Sequence, residues 1–318
     1  MNLQNSNIIL TGGGGFLGKR VRATLEDAGA NVIVPRSADY DLRFQIDTSA
    51  LYADTQNKIG PINCIIHAAA TVGGIGATGT RPADFLMDNA MMGLNIIRGA
   101  YIFDIPKVVV IGSVCSYPKV TPVPFNEANL WEGYPEETNA PYGNAKRIVG
   151  EALMAYNKQY SLGGAYLLMA NMYGPGDNFD DSTSHVIPAL IKKFYHAKIN
   201  DLPNVEIWGS GRASRDFLYI QDAAEAVVMA TERDMKPTPI NIGTGEETNI
   251  LFLSEYIKKY IGYEGSIIHD RSKPDGQMRR SVQTARAREF LEWKSSVSLQ
   301  DGLAGTIDWY IQKEENNG

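Results

Sequence analysis

The chain has 318 residues, 44% of them hydrophobic, with 30 Lys and Arg against 36 Asp and Glu and a formal charge of -6, enough apolar material for a buried core and one large or two smaller domains. This excludes a disordered chain, and the absence of a basic run with interleaved aromatics or of an apolar stretch near the roughly 20 residues of a membrane span argues against nucleic acid and membrane as partners. Cys64 and Cys115 cannot form a disulfide framework, the four histidines share no metal-ligand spacing with them, and MNLQNSN lacks the regions of a signal peptide, so a metal-free cytoplasmic protein is expected.

Short apolar runs at 8–11, 31–34, 62–68, 108–112 and 165–169 read as buried strands, and the segments 16–28, 84–103 and 142–160 between them read as helices. Near-continuous apolar strands alternating with helices imply a parallel sheet covered on both faces. The expected fold is therefore α/β, a Rossmann-like doubly wound parallel sheet. After about residue 170 the chain turns to loops rich in Gly, Asn and Asp, which suggests a smaller C-terminal substrate-binding domain. The division expected is 1–170 for the dinucleotide-binding domain and 171–318 mainly for the substrate. The segment 217–231 and a strand at 240–242 look like returns to the first domain, within about 217–245, and the last five residues are expected to fray.

Directly after the first strand, TGGGGFLG places Gly12, Gly15 and Gly18 in a G-x-x-G-x-x-G loop that opens a helix. Glycines there permit a tight turn, and the backbone amides can face a pyrophosphate. At the end of the second strand, NVIVPRSADYDLR puts Arg36 where an acid would bind a free ribose. A basic residue there favours NADP(H) over NAD(H), and Asp41 is a candidate adenine contact. With Phe16, Leu17, Ala68, Ala69 and Lys146, these residues form the expected cofactor set.

Tyr142 and Lys146 in PYGNAK stand four residues apart on a helix and share a face. A phenol near its reference pKa of about 10 is a poor proton donor and acceptor at neutrality, and a nearby ammonium is expected to lower it. Ser113 closes the fourth strand, where ligands of such folds bind, and can hold a substrate carbonyl beside the phenol.

The blocks TGGGGFLG, HAAATVGGIGA, GSVCSYPK, NAPYGNAK, NMYGPGDNF, SHVIPALIKKF and WGSGRASRDFLY resemble the GDP-L-fucose synthase family of extended short-chain dehydrogenases over residues 8–230. The resemblance implies a homodimer that epimerises a GDP-linked 4-keto-6-deoxyhexose at C3 and C5 and then reduces C4 with NADPH. Ser113, Tyr142 and Lys146 would form the reductase group, and Cys115 and His185 the epimerisation pair. Hydrogens beside a ketone are acidic, and a thiol and an imidazole titrate close enough to neutrality to exchange them. Asn171, His185, Lys193, Trp208, Arg215 and Lys273 would bind the substrate, with Arg215 or Arg212 on the diphosphate.

The chain also departs from the family pattern. Gly13 and Gly14 leave the loop without a basic side chain, and Gln283 stands where relatives often have Asp. These departures leave open a reductase acting on a related 4-keto sugar nucleotide, not GDP-linked or not 6-deoxy, and the alternative reading is a redox-neutral epimerase with tightly bound NAD.

Overall fold

The structure is a computed structural model that describes every residue except Ser182, Pro274 and Gly318. Its strands and helices run β1 (Asn7–Thr11), α1 (Phe16–Asp27), β2 (Asn31–Ile33), α2 (Gln45–Ile59), β3 (Cys64–His67), α3 (Ile75–Thr80), α4 (Pro82–Ile102), β4 (Lys107–Ser113), α5 (Ala140–Tyr160) and β5 (Gly163–Met169). They continue with β6 (Asn171–Tyr173), α6 (Val186–Ile199), β7 (Asn204–Trp208), β8 (Ser214–Arg215), β9 (Phe217–Tyr219), α7 (Ile220–Glu232), β10 (Pro239–Ile242), β11 (Thr248–Asn249), α8 (Ile250–Ile261), β12 (Ser266–Asp270), β13 (Arg279–Arg280), α9 (Ala285–Leu291) and α10 (Leu299–Asn317).

Six strands form the main sheet in the order β10-β5-β4-β3-β1-β2, every pairing parallel. Successive residues of a strand face opposite sides of a sheet. Ile8 and Leu10 accordingly pack in one cluster with Val21 of α1 and Val227 of α7, while Ile9 packs in a second with Tyr52 of α2, Ile96 of α4 and Val149 of α5. Both faces are therefore covered, which makes the sheet doubly wound. From β1 the chain goes to β2 on one side and then crosses to β3 on the other. The carboxyl ends of β1 and β3 flank the crevice at this reversal, the place where such sheets bind ligands.

Of the later segments, β9 pairs with β6 in a small sheet, α7 packs in the α1 cluster, and β10 extends the main sheet beside β5. Beyond β5 a third cluster gathers Phe194, Ile207, Leu253, Ile257 and Ile307, edged by small sheets β11-β8-β13, β12-β7 and β6-β9. One expectation fails. The tail does not fray as a loop, because α10 runs through Asn317, with Gly318 outside the described residues. Helix α2 gave no sequence signal because its only buried residues are Thr48, Leu51, Tyr52 and Thr55, a stripe half polar.

Asp216, only 1% exposed, joins the small sheets to the end of β10. Its carboxylate accepts from the Thr244 amide at 2.9 Å, the Thr244 hydroxyl at 2.8 Å and the Gly245 amide at 2.9 Å. Replacing Asp216 with Ala leaves these three part-buried donors without their acceptor and is expected to cost about 2 kcal/mol in urea unfolding. A loss below about 1 kcal/mol would contradict this role.

Candidate active site

A cleft of ≈ 1320 Å³ runs from the glycine loop to the small sheets. That exceeds the roughly 300–1,000 Å³ of a pocket for one small ligand, and leaves room for two bound side by side.

At one end, β1 and β3 approach so closely that a Cβ on Gly12 would lie 2.7 Å from the Ala68 carbonyl carbon and the Ala69 amide. Gly12 also has φ +72°, a conformation that favours glycine. A Cβ on Gly18 would sit 2.1 Å from the Gly12 carbonyl, so the first turn of α1 can reach the loop only without a side chain there. No side chain caps α1, and its first turn holds no acid. Its leading amides and positive dipole end are therefore available to an anion. Arg36 is exposed on the cleft wall and forms no ion pair among the described residues. The amides, the glycine cradle and this guanidinium fit a phosphorylated dinucleotide. Asp41 lines the same wall, but Arg43 occupies its carboxylate at 2.6 Å and holds it below the usual carboxylate range. Asp41 thus orients Arg43, which also reaches Asp88 at 3.5 Å, rather than offering a free acceptor to adenine.

In the middle, Ser113 ends β4 and its Oγ accepts from the Cys115 amide at 3.2 Å. The hydroxyl hydrogen is then left to donate elsewhere. Lys146 of α5, 3% exposed, donates from Nζ to the Ile111 carbonyl at 3.0 Å and lies 5.7 Å from the centre of the Tyr142 ring. Burial lowers the Lys146 ammonium to about 8. Tyr142 does not follow the expected direction. Burial raises it above the ordinary tyrosine value, because desolvation disfavours the phenolate, with Cys115 and Tyr166 adding to the effect. The phenol therefore stays protonated at neutral pH.

His185 precedes α6 but does not cap it, and its ring forms no hydrogen bond with the described residues. It is open to the cleft yet ringed by protein atoms, and this surrounding lowers its affinity for a proton. His185 and Cys115 thus line the cleft that holds Ser113, Tyr142 and Lys146. Cys64 is a fully buried core thiol, pushed up to about 12.

At the far end lie Asn171, Lys193, Trp208 and Arg215. Arg215 is the inward guanidinium of the two candidates; Arg212 is exposed and does not line the cleft. The Arg215 guanidinium donates to the Ser214 carbonyl at 2.8 Å and the Gln277 carbonyl at 2.6 Å, and burial, with Arg280 beside it, lowers it to about 10. Asn171 donates to the Asp216 carbonyl at 3.0 Å. Lys273 is off the cleft wall, with its Nζ 5.4 Å from the Trp208 ring, while Lys193 approaches the same ring to 5.7 Å.

Several wall residues escaped the sequence. Glu136, Asp275, Gln277 and Arg280 line the cleft, so the C-terminal segment does contribute to it. Asp177 does too, with burial raising its carboxyl to about 7 and leaving Oδ2 without a hydrogen-bond partner. Gln283 instead accepts from Asn126 at 2.7 Å outside the cleft, so its departure from the family pattern bears on loop docking.

A doubly wound sheet with a glycine cradle, and a Tyr and Lys beside a strand-end Ser, define a dinucleotide-dependent oxidoreductase or epimerase. The chain belongs to the NAD dependent epimerase/dehydratase family, which it matches over residues 8–243. It is 36% identical to GDP-L-fucose synthase of Escherichia coli (strain K12), covering 98% of this chain and 99% of that one. It is 34% identical to GDP-L-colitose synthase of Yersinia pseudotuberculosis, covering 98% and 99%. Among solved structures it superposes on a GDP-L-fucose synthetase from Naegleria fowleri bound to NADP with TM-score 0.88 and 28% identity, covering 98% of this chain and 94% of that one.

Replacing Arg36 with Ser is expected to weaken binding of a dinucleotide carrying the adenosine 2′-phosphate by about 10- to 100-fold, the loss of one or two charge-assisted hydrogen bonds. Affinity for the unphosphorylated dinucleotide should be unchanged, as fluorescence titration of each would show.

Proposed function

We propose that the chain is a nucleotide-sugar 3,5-epimerase and 4-reductase that uses NADPH to convert a GDP-linked 4-keto-6-deoxyhexose to GDP-L-fucose or a close relative. The observation that carries this reading is the presence of Cys115 and His185 on the cleft shared by Ser113, Tyr142 and Lys146. A reductase alone has no use for a second pair of proton carriers. The similarity to GDP-L-fucose synthases supports the same substrate class.

In this reading the glycine turn and the α1 amides hold the dinucleotide diphosphate, Arg36 its 2′-phosphate, and Lys146 its ribose. When bound, the reduced cofactor supplies hydride to C4. Arg215 takes the sugar diphosphate, Trp208 and Lys193 the nucleotide end, and Asn171 the sugar. Ser113 donates its free hydroxyl hydrogen to the 4-keto oxygen, which draws electron density from the ring and acidifies the hydrogens on C3 and C5. Cys115 and His185 remove and return those protons on opposite faces. Tyr142, kept protonated by burial, then protonates the C4 oxygen as hydride arrives, and the Lys146 ammonium stabilises the phenolate left behind.

We further propose a homodimer. Helix α4 exposes Met87, Met91, Tyr101 and Ile102, and α5 exposes Ile148 and Tyr160, an apolar surface that a second copy would cover. The two free thiols agree with a reducing, cytoplasmic setting. Sedimentation should report a dimer, with Met91→Lys shifting it toward monomer; a monomeric wild type would refute the proposal.

The direct test of function is NADPH oxidation with GDP-4-keto-6-deoxymannose and identification of the product. Cys115→Ala is expected to lower epimerisation by at least about 100-fold. Hydride transfer should survive and yield an unepimerised 4-hydroxy sugar. No turnover by the wild type, or an unepimerised wild-type product, would defeat the assignment.

A further inference from the structure

The C-terminal segment brings into the cleft a cation that this reaction scheme has not used. Arg280, on β13, is 7% exposed, and its Nη1 lies 3.4 Å from Cys115 Sγ. Its Nε donates to Gln277 Oε1 at 3.2 Å, and no carboxylate among the described residues forms an ion pair with it. The two arginines of β13 alternate as strand residues do. Arg279 pairs outward with Glu247, and Arg280 turns inward.

The backbone of Cys115 is fixed from two sides. Its amide donates to Ser113 Oγ, and its carbonyl lies so close to α5 that a Cβ on Gly143 would come within 2.4 Å of it. What remains free is the direction of the sulfur, which Arg280 contacts. Arg215, the register partner of Arg280 across β8 and β13, adds to the positive field there. Tyr142 from α5, a neutral phenol at working pH, bears on the same sulfur, and His185, just before α6, lines the same cleft. Glu136 and Asp275 bear on Arg215. A guanidinium beside a thiol favours the thiolate, the form able to accept a proton from carbon.

We propose that Arg280 is a positioning residue that aims the Cys115 sulfur into the cleft and holds it as a thiolate, a role whose use in catalysis rests on the epimerase reading above. It does not touch the reacting carbons and acts through Cys115.

The test is alkylation of the whole protein by iodoacetamide from acid to alkaline pH, read at Cys115 by peptide mass spectrometry. Cys64, fully buried and raised to about 12, serves as the unreactive internal reference. Wild-type Cys115 is expected to reach half-maximal reactivity below the ordinary thiol value of about 8.5. Arg280→Gln should slow its alkylation at neutral pH about tenfold, a one-unit rise in the midpoint, and Arg280→Lys should restore most of the rate. A wild-type midpoint at or above the ordinary value, or an Arg280→Gln profile identical to wild type, would overturn the proposal. If Arg280→Gln does not fold, a depressed midpoint shared by wild type and Arg280→Lys supports it. The readout needs no sugar nucleotide. A depressed, Arg280-dependent midpoint in a protein that turns over no 4-keto sugar would defeat the epimerase reading and leave the hold on the thiolate standing.

Discussion

The site depends on the close docking of α5 against the ends of β4 and β5. Gly143, Lys146 and Gly150 share one face of that helix. A Cβ on Gly143 would strike the Cys115 carbonyl, and one on Gly150 would lie 2.3 Å from the Tyr166 ring. Between the two glycines, Lys146 donates to the Ile111 carbonyl of β4, and the Tyr166 hydroxyl of β5 returns a bond of 2.9 Å to the Lys146 carbonyl. On an adjacent face Gly93 of α4 makes room for Val149, where an added Cβ would come within 2.3 Å of it. A helix so confined has one register, and that register sets Tyr142 and Lys146 beside Ser113 and Cys115. Burying the ammonium is costly and is offset in part by its carbonyl partner.

The second constraint is electrostatic and local. The chain is acidic overall, yet the cleft presents Arg36, Lys146, Arg215 and Arg280, none in an ion pair with a described carboxylate. Cations without a carboxylate partner favour ligands that bring their own negative charge, as two diphosphates would. Arg43, by contrast, is already committed to Asp41 and Asp88.

Much of this was legible in the sequence because it is local. The glycine loop, the strand-end Ser113 and the Tyr142 and Lys146 pair each carry a short motif whose spacing follows from the turn or helix that holds it. The apolar strands were plain because a sheet covered on both faces tolerates few polar residues. The misses have the opposite character. Arg280 reaches Cys115 from 165 positions away on a strand of two residues, too short for any period to show. The direction of the Tyr142 shift follows from burial, which tertiary packing alone decides, and Lys273 stands off the cleft wall with its ammonium over the Trp208 ring. Helix α2 was silent because a half-polar buried stripe gives no clear amphipathic pattern.

The central claim, that one cleft carries both proton exchange at C3 and C5 and hydride transfer at C4, is tested most directly by isotope placement. The reaction is run in deuterated water with unlabelled NADPH, and again in ordinary water with NADPH deuterated at the transferred position. Solvent deuterium at C3 and C5 in the first run and cofactor deuterium at C4 alone in the second is the predicted result. A reduced product with no solvent label at C3 and C5 would contradict the account, since Cys115 and His185 would then line the cleft without exchanging protons there.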